Sequence, residues 1–111
     1  MLDKYEIRII LNGNPLGRKL VEDGDYCVRK NPNSVDINRN WDFNHGKQIE
    51  LSEENPGPKP FSELETQFIH ASVKEFNPLL FLTVHSGVFG LFFPYAYGNK
   101  PCKCYIFLMI Y

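Results

Sequence analysis

Asn38 and Arg39 are the neighbouring side chains best suited to bind a carboxylate. A guanidinium can donate two parallel hydrogen bonds to a carboxylate, whereas a lysine ammonium offers only a point charge. The amide of Asn38 adds a hydrogen bond that would orient the bound group. Taken by themselves, the two residues are better interpreted as a surface loop with an ordinary salt bridge, so residues elsewhere in the chain must decide between the two interpretations.

His85 is a candidate metal ligand. It follows an apolar run from Leu79 to Val84, which predicts a buried strand, and it precedes Ser86-Gly87. Ligands of α/β sheets bind beyond the carboxyl ends of the strands. An isolated histidine is nevertheless more often a hydrogen-bonded structural residue, and a catalytic zinc takes three protein ligands and a water.

The other two histidines offer no obvious second ligand. His70 and Glu75 are five residues apart on a predicted helix, so they do not share the face that a three- or four-residue spacing would give. His45 lies in a predicted turn beside Gly46. We expect both histidines to lie at the surface.

The composition is that of one small globular domain, because 43% of the 111 residues are hydrophobic and 14% are aromatic. A net charge of -1, from 12 basic and 13 acidic residues, supplies no positive excess for phosphate binding, so we expect no nucleic-acid partner. The 3 cysteines are an odd number, which implies no self-contained disulfide framework. The composition leaves the cellular compartment open.

Charge is nearly absent from the last third of the sequence: no acidic residue follows Glu75, and Lys100 and Lys103 are the only later charges. A segment this apolar cannot cover itself and is typical of a sheet buried on both faces. We therefore interpret the chain as a piece of a larger fold, or as one that needs a partner. The charged segment Met1 to Leu11 does not resemble a signal peptide, and Tyr105 to Tyr111 is far shorter than the roughly 20 residues that span a bilayer.

The pattern at the amino-terminal end predicts one strand and long loops. Tyr5 to Leu11 is rich in β-branched and aromatic residues, and Asn12-Gly13-Asn14-Pro15 is a strong turn signal after it. Residues 12–34 and 44–60 hold turn formers and prolines without a lasting period, so we expect loops there.

The clearest local pattern predicts a helix after residue 61. Ser62 and Glu65 have the spacing of a capping box, and Pro78 marks the end of the helix. One face of this helix is expected to be apolar and carries Leu64, Phe68, Ile69, Ser72, Val73 and Phe76. Val88 to Pro94 is a further candidate strand.

The motif Val35-Asp36-Ile37-Asn38-Arg39-Asn40-Trp41 resembles, with Arg29 before it and Thr83-Val84-His85-Ser86-Gly87 after it, the substrate-binding half of a zinc metallocarboxypeptidase of the carboxypeptidase A/B type. A Pro-rich segment at 56–66 and Phe93-Pro94-Tyr95 follow the order of that family, so the resemblance runs from about residue 10 to residue 97. It implies an α/β fold with a partial mixed β-sheet flanked by helices. Residues 1–97 would then be a partial catalytic domain and residues 98–111 a divergent tail.

The resemblance implies roles for three basic or amide side chains. Arg29 matches the residue that stabilises the oxyanion of the tetrahedral intermediate, with Lys30 as a competing candidate because the register is uncertain by one residue. Asn38 and Arg39 match the pair that binds the terminal carboxylate of the substrate.

The metal site implied by the resemblance is incomplete in this sequence. His85 matches the third zinc ligand, and Asp36 matches the carboxylate that hydrogen-bonds a zinc-ligating histidine. The His-x-x-Glu pair that supplies the other two ligands is missing, and so is the downstream Glu that acts as general base. Zn2+ is expected in the complete fold, but this chain would supply one of three ligands.

The resemblance implies zinc-dependent hydrolysis of the carboxy-terminal residue of peptides or proteins, in a chain that carries only part of the machinery. The alternative is a catalytically inactive fragment of the same fold that binds carboxylates or a protein partner. A weaker third possibility is a related zinc hydrolase that acts on small amides, because fold similarity alone does not exclude it. Zinc titration would separate the first two interpretations.

Overall fold

The computed structural model describes residues 4–47, 54–85, 90–92 and 107–110, the last range and Leu91 by their backbone only. Two compact units divide the chain, Met1–Phe76 and Asn77–Tyr111. In the first unit lie helix α1 (Pro15–Glu22), a 3-10 helix (Ile37–Arg39) and helix α2 (Leu64–Phe76). In the second unit lie strands β1 (Phe81–Val84), β2 (Leu91–Phe92) and β3 (Phe107–Ile110).

Helix α1 lies where the sequence analysis predicted only loop, so that prediction is wrong for residues 15–22. The side chain of Asn14 caps the helix by accepting a hydrogen bond from the amide of Gly17 at 3.0 Å, and Pro15 occupies the first turn. Asn14-Pro15, which the sequence analysis counted in a turn signal, is therefore also a helix start, since proline is well tolerated in the first helical turn, where the backbone N–H needs no partner. Arg18 pairs with Glu22 at 2.8 Å on the exposed face.

Helix α2 confirms the helix predicted after residue 61, but it does not begin with a capping box. The helix starts at Leu64, and the carbonyl of Glu63 accepts the first helical hydrogen bond from Gln67 at 3.1 Å. The hydroxyl of Ser62 donates to the Glu63 carboxylate at 2.7 Å instead of capping the helix. The helix ends at Phe76, two residues before the proline that was expected to stop it.

The segment Tyr5 to Leu11 forms no strand, so the prediction made for it is wrong. A strand needs a backbone partner, and the structure gives this segment contacts through side chains instead. The Nη1 atom of Arg8 lies 3.1 Å from the Glu75 carboxylate, and its guanidinium lies 4.6 Å from the centre of the Phe76 ring. The segment is thus attached to the end of α2 by side chains.

The three strands pair in the order β1-β3-β2. β1 runs parallel to β3, with Phe81 opposite Phe107, and β2 runs antiparallel to β3, with Leu91 opposite Ile110. β1 falls inside the strand predicted at 79–84, and β2 falls inside the one predicted at 88–94, of which residues 88, 89, 93 and 94 lie outside the described part. These short pairs do not establish the sheet flanked by helices that the sequence predicted.

β1 is not buried, contrary to the expectation drawn from its apolar sequence. Its side chains alternate between half-buried and exposed, and Val84 is 74% exposed. A continuous apolar strand is buried only when both faces of its sheet are covered, and one face of β1, with Leu82 and Val84, is exposed in the described structure.

Buried side chains in the first unit are mostly polar. Proline aside, Val35 is the single buried aliphatic or aromatic side chain among the residues that the structure describes. The buried polar side chains are Asn31, Asp36, Asn40, Glu63 and Thr66, which we call the polar network. No helix in the described ranges is long and apolar enough to cross a membrane.

Candidate functional site

The 3-10 helix Ile37–Arg39 presents Asn38 and Arg39 side by side. Asp36 caps this helix, because its Oδ1 atom accepts a hydrogen bond from the amide of Asn38 at 3.0 Å. The carbonyl of Asp36 accepts another from the amide of Arg39 at 2.9 Å. One aspartate therefore fixes the backbone of both residues that the sequence predicted to bind a carboxylate.

Asn40 ties this helix to the loop that precedes α2. Its side chain is fully buried, and its Nδ2 atom lies 2.8 Å from the carbonyl of Pro56, 3.1 Å from that of Lys59 and 2.8 Å from the hydroxyl of Ser62. The two hydrogens of the Asn40 amide nitrogen face three acceptor oxygens, so one hydrogen is shared between two of them. The residue next to Arg39 is thereby anchored on three sides.

The acceptor side of Asn40 is equally occupied. Its Oδ1 atom accepts from the amide of Glu63 at 3.1 Å and from the hydroxyl of Thr66 at 2.6 Å. Its backbone carbonyl accepts from the amide of Phe61 at 2.8 Å. Asn40 thus binds the amide of Glu63, while the Ser62 hydroxyl accepts from Asn40 and donates to the Glu63 carboxylate instead of capping α2.

Gly57 makes the close approach of the loop possible. Its φ angle is +79°, a conformation that favours glycine. A Cβ atom at this position would lie 2.6 Å from the Ser62 hydroxyl and 2.8 Å from the Asn40 amide nitrogen. The Pro-rich segment recognised in the sequence therefore contains a glycine that the polar network requires.

Arg29 and Asp36 form an ion pair within the site. The Nε and Nη2 atoms of Arg29 lie 2.8 Å and 2.7 Å from Oδ2 of Asp36, whose side chain is 4% exposed. Asp36 therefore both caps the 3-10 helix and pairs with Arg29. The predicted roles of Arg29 at an oxyanion and of Asp36 behind a zinc ligand stay predictions.

Arg39 forms a second ion pair, with Glu54. The contact joins Nη2 to a carboxylate oxygen, while Nη1 lies 3.5 Å from the carbonyl of Asn38. The side chains are 34% and 15% exposed, so the pair is partly shielded from water. The ordinary salt bridge that the sequence allowed for Arg39 is present, and its predicted binding of a substrate carboxylate stays a prediction.

Asn38 has a side-chain amide without a hydrogen-bond partner among the residues that the structure describes. The side chain is half-buried beside Arg39. An amide in that position can still bind a ligand, because none of its hydrogen-bonding capacity is used within the described chain.

Glu63 is the buried acid of the polar network. Its carboxylate accepts hydrogen bonds from Asn31 at 2.7 Å, from Asn33 at 2.8 Å and from Ser62 at 2.7 Å. Burial acts to raise the pKa of this carboxyl, but hydrogen bonds from Ser62, Asn31 and Asn33 outweigh it and lower the pKa from its ordinary value of 4.5. Neutral hydrogen-bond donors therefore favour the ionised form of this carboxyl, and no ion pair of Glu63 is found among the described residues.

Trp41 is linked to α2 through aromatic contacts. Its ring meets Phe61 edge to face at 5.7 Å, and Phe61 stacks on His70 at 4.5 Å. His70 is exposed, as the sequence predicted. His45 is half-buried, and its Nε2 atom donates to the carbonyl of Pro56 at 2.9 Å.

The structure brings four of the five predicted site residues together, namely Arg29, Asp36, Asn38 and Arg39. His85 lies in the second unit, after β1, and its predicted role as metal ligand stays a prediction. Within the described ranges, no three His, Cys, Asp or Glu side chains converge. These residues therefore do not fit a catalytic zinc, which needs three protein ligands.

Three residues of this site were not identified from the sequence: Glu54, Asn40 and Glu63. Glu54 pairs with Arg39, 15 positions away, and Asn40 accepts a hydrogen bond from Glu63, 23 positions away. The only local signal was the second asparagine of Asn-Arg-Asn, and asparagine in a loop more often indicates a turn than a buried hydrogen-bonding centre.

The comparisons with known proteins agree with the motif. Residues 1–108 match the family model described as zinc carboxypeptidase. No curated protein and no solved structure matches the chain significantly. Since the family model covers nearly the whole sequence, the chain belongs to the zinc carboxypeptidase family.

Proposed function

We propose that this chain supplies the part of a zinc carboxypeptidase that recognises the terminal carboxylate of a peptide or protein. Asn38 and Arg39 are the residues that bind this group. The observation that carries the proposal is their display on a capped 3-10 helix, with the Asn38 amide unused within the described chain. A guanidinium beside an amide donor matches the geometry of a carboxylate.

In the complete family fold, the recognised peptide would be hydrolysed at its last bond, with Arg29 at the developing oxyanion and His85 at the metal. Family membership supports hydrolysis of this kind and a requirement for zinc. We assign no catalytic step to this chain, because its described residues gather no set of metal ligands. The same membership supports the proposed α/β sheet flanked by helices.

Titration with matched ligands tests carboxylate recognition. We expect an N-acetylated dipeptide ending in a free phenylalanine carboxylate to bind, and the same dipeptide ending in a carboxamide to bind far more weakly. Fluorescence of Trp41, the single tryptophan, reports binding next to the motif. Equal affinities for the two ligands would contradict the proposal.

Two arginine substitutions identify the binding residue. Arg39→Gln should weaken binding of the acid ligand by about tenfold or more, because a charge-assisted hydrogen-bond pair is lost. Arg8→Gln is the matched control, since Arg8 also pairs with a glutamate but lies outside the motif. Equal losses in both variants would show that the affinity comes from net charge and not from the motif.

A second function, as a catalytically inactive binding fragment of the same fold, is favoured by the lack of converging metal ligands in the described ranges. Equilibrium dialysis with zinc separates the two. The inactive fragment should take up no tight zinc, whereas one tight equivalent that is lost in His85→Ala would favour the enzyme.

A further inference from the structure

We propose that Glu54 is an internal competitor for the carboxylate site, so that its side chain must leave the guanidinium of Arg39 before a peptide carboxylate binds fully. This inference rests on the proposed function of Asn38 and Arg39. It adds a residue that sets the affinity of the site and that no family motif in the sequence indicated.

The first support is chemical identity. Glu54 presents to Arg39 the same group as a peptide carboxy terminus, and it does so at Nη2, one of the two outer nitrogens of the guanidinium. The other outer nitrogen lies near the carbonyl of Asn38. An incoming carboxylate that uses both outer nitrogens therefore meets an oxygen already in place.

The second support is burial. The Arg39–Glu54 pair has side chains 34% and 15% exposed, whereas those of the Arg8–Glu75 pair are 42% and 75% exposed. Charges interact more strongly where water is partly excluded. Two carboxylates at one shielded guanidinium repel each other, so Glu54 lowers the affinity for a second one.

The third support is tethering. Asn55, the next residue, is fixed beside the motif, because its carbonyl accepts from the amide of Asp36 at 2.8 Å and its side chain donates to the carbonyl of Ser34 at 2.8 Å. The Glu54 carboxylate thus stays close to Arg39 even when the contact opens. Such an attached group competes at a high effective concentration.

Binding of the two dipeptides to the Glu54→Gln variant tests this inference. We expect the acid ligand to bind about fivefold more tightly than to the unaltered chain, as for removal of a partly shielded ion pair. The carboxamide ligand should show no such gain. Glu75→Gln is the matched control, because it removes the same charge from an exposed ion pair outside the motif and should leave the affinity unchanged.

Glu54→Asp provides an independent arm if the glutamine variant does not fold, since the shorter side chain keeps the charge but withdraws it from the guanidinium. It should also bind the acid ligand more tightly than the unaltered chain. Weaker binding would show that Glu54 orients Arg39 and does not compete, and unchanged binding would show no role; either result overturns the inference. If neither the unaltered chain nor any variant binds the acid ligand, the proposed function fails as well. If binding depends on Arg39 but is the same with and without the Glu54 substitution, this inference alone is overturned.

Discussion

The first unit contains two regions that are stabilised in opposite ways. Around Asn40, the side chains of the polar network are buried and hydrogen-bonded to one another or to the backbone. On helices α1 and α2, by contrast, large apolar side chains face solvent, with Leu16 57%, Leu64 78% and Phe68 61% exposed. The usual arrangement of polar surface and apolar interior is reversed here.

The exposed apolar side chains lie at an open cavity. Leu16, Leu64 and Phe68 line an open cavity of about 460 Å³, whose lining also includes polar side chains such as Asn31, Asn33 and Glu65. A helix normally buries its apolar face against another element. On the face predicted for α2, Leu64 and Phe68 are exposed, whereas Ile69, Val73 and Phe76 are half-buried, so the described residues of this unit cover that face only in part.

The difference shows which part of the family fold is locally determined. Hydrogen bonds are directional, so the polar network fixes the position of the Asn38-Arg39 pair through contacts that the unit makes by itself. Apolar burial is not directional and needs a second surface. We therefore expect the carboxylate site to retain its geometry even where the apolar region is uncovered.

Asn40→Ala should have the largest effect on this comparison. It leaves the buried amide of Glu63 without its partner and removes the hydrogen bonds of Asn40 to the Thr66 hydroxyl and to two loop carbonyls, which should lower the free energy of unfolding by about 3 kcal/mol or more. Asn38→Ala is the matched control, because its side chain has no partner among the described residues. Denaturant unfolding followed by Trp41 fluorescence measures both, and equal effects would show that the polar network does not stabilise the unit.

Gly57→Ala should rank second. The substitution puts a Cβ atom at a φ of +79° and 2.6 Å from the Ser62 hydroxyl, so we expect a loss of about 2 kcal/mol in the free energy of unfolding. Gly24→Ala is the control, since Gly24 also has a positive φ angle, +110°, but nothing lies within 4 Å of its added Cβ. A larger loss of unfolding free energy in the Gly24 variant would mean that backbone strain, and not the close approach of the added Cβ atom, determines the cost of the substitution.

Local sequence predicted helix α2 but missed helix α1, although the start of α1 at Asn14 and Pro15 is also local. Helix α2 and its end followed from apolar periodicity and Pro78, which act within a few residues. The predicted capping box is absent, because the Ser62 hydroxyl contacts Asn40, far away in the sequence, and the Glu63 carboxylate instead. The segment Tyr5 to Leu11 has the composition of a strand, but β propensity yields a strand only where a partner pairs with it.

The candidate site shows the same limit of prediction from sequence: contacts between residues far apart in the chain were missed. Asp36, Asn38 and Arg39 were predicted because they lie in one short motif, and Arg29 was predicted from its place a few residues before that motif. Glu54 could not be, since an acidic residue in a Pro-rich loop gives no sign of which arginine it will contact. Sequence thus predicted candidate groups for binding a carboxylate, whereas the ion pair between Arg39 and Glu54 appears only in three dimensions.

Glu63→Gln should give a smaller, pH-dependent effect. The pKa of Glu63 is lower in the folded unit than in the unfolded chain, so its contribution to stability is complete above the ordinary carboxyl range, about 4, and is lost as the pH falls through the folded value. The unaltered chain should therefore lose stability on acidification more steeply than the variant. Thermal unfolding measured from pH 7 down to pH 3 tests this, and parallel curves would contradict it.

Phe68→Ser should have the smallest effect, because the side chain is already 61% exposed and its removal uncovers little new apolar surface. We expect the free energy of unfolding to change by less than about 0.5 kcal/mol. Val35→Ala is the contrast, since Val35 is 3% exposed and its truncation should cost about 1 kcal/mol or more. A loss above that of Val35→Ala would mean that a partner covers Phe68 in solution. If the partner is a second copy of the chain, the loss should grow with protein concentration, because association stabilises by mass action.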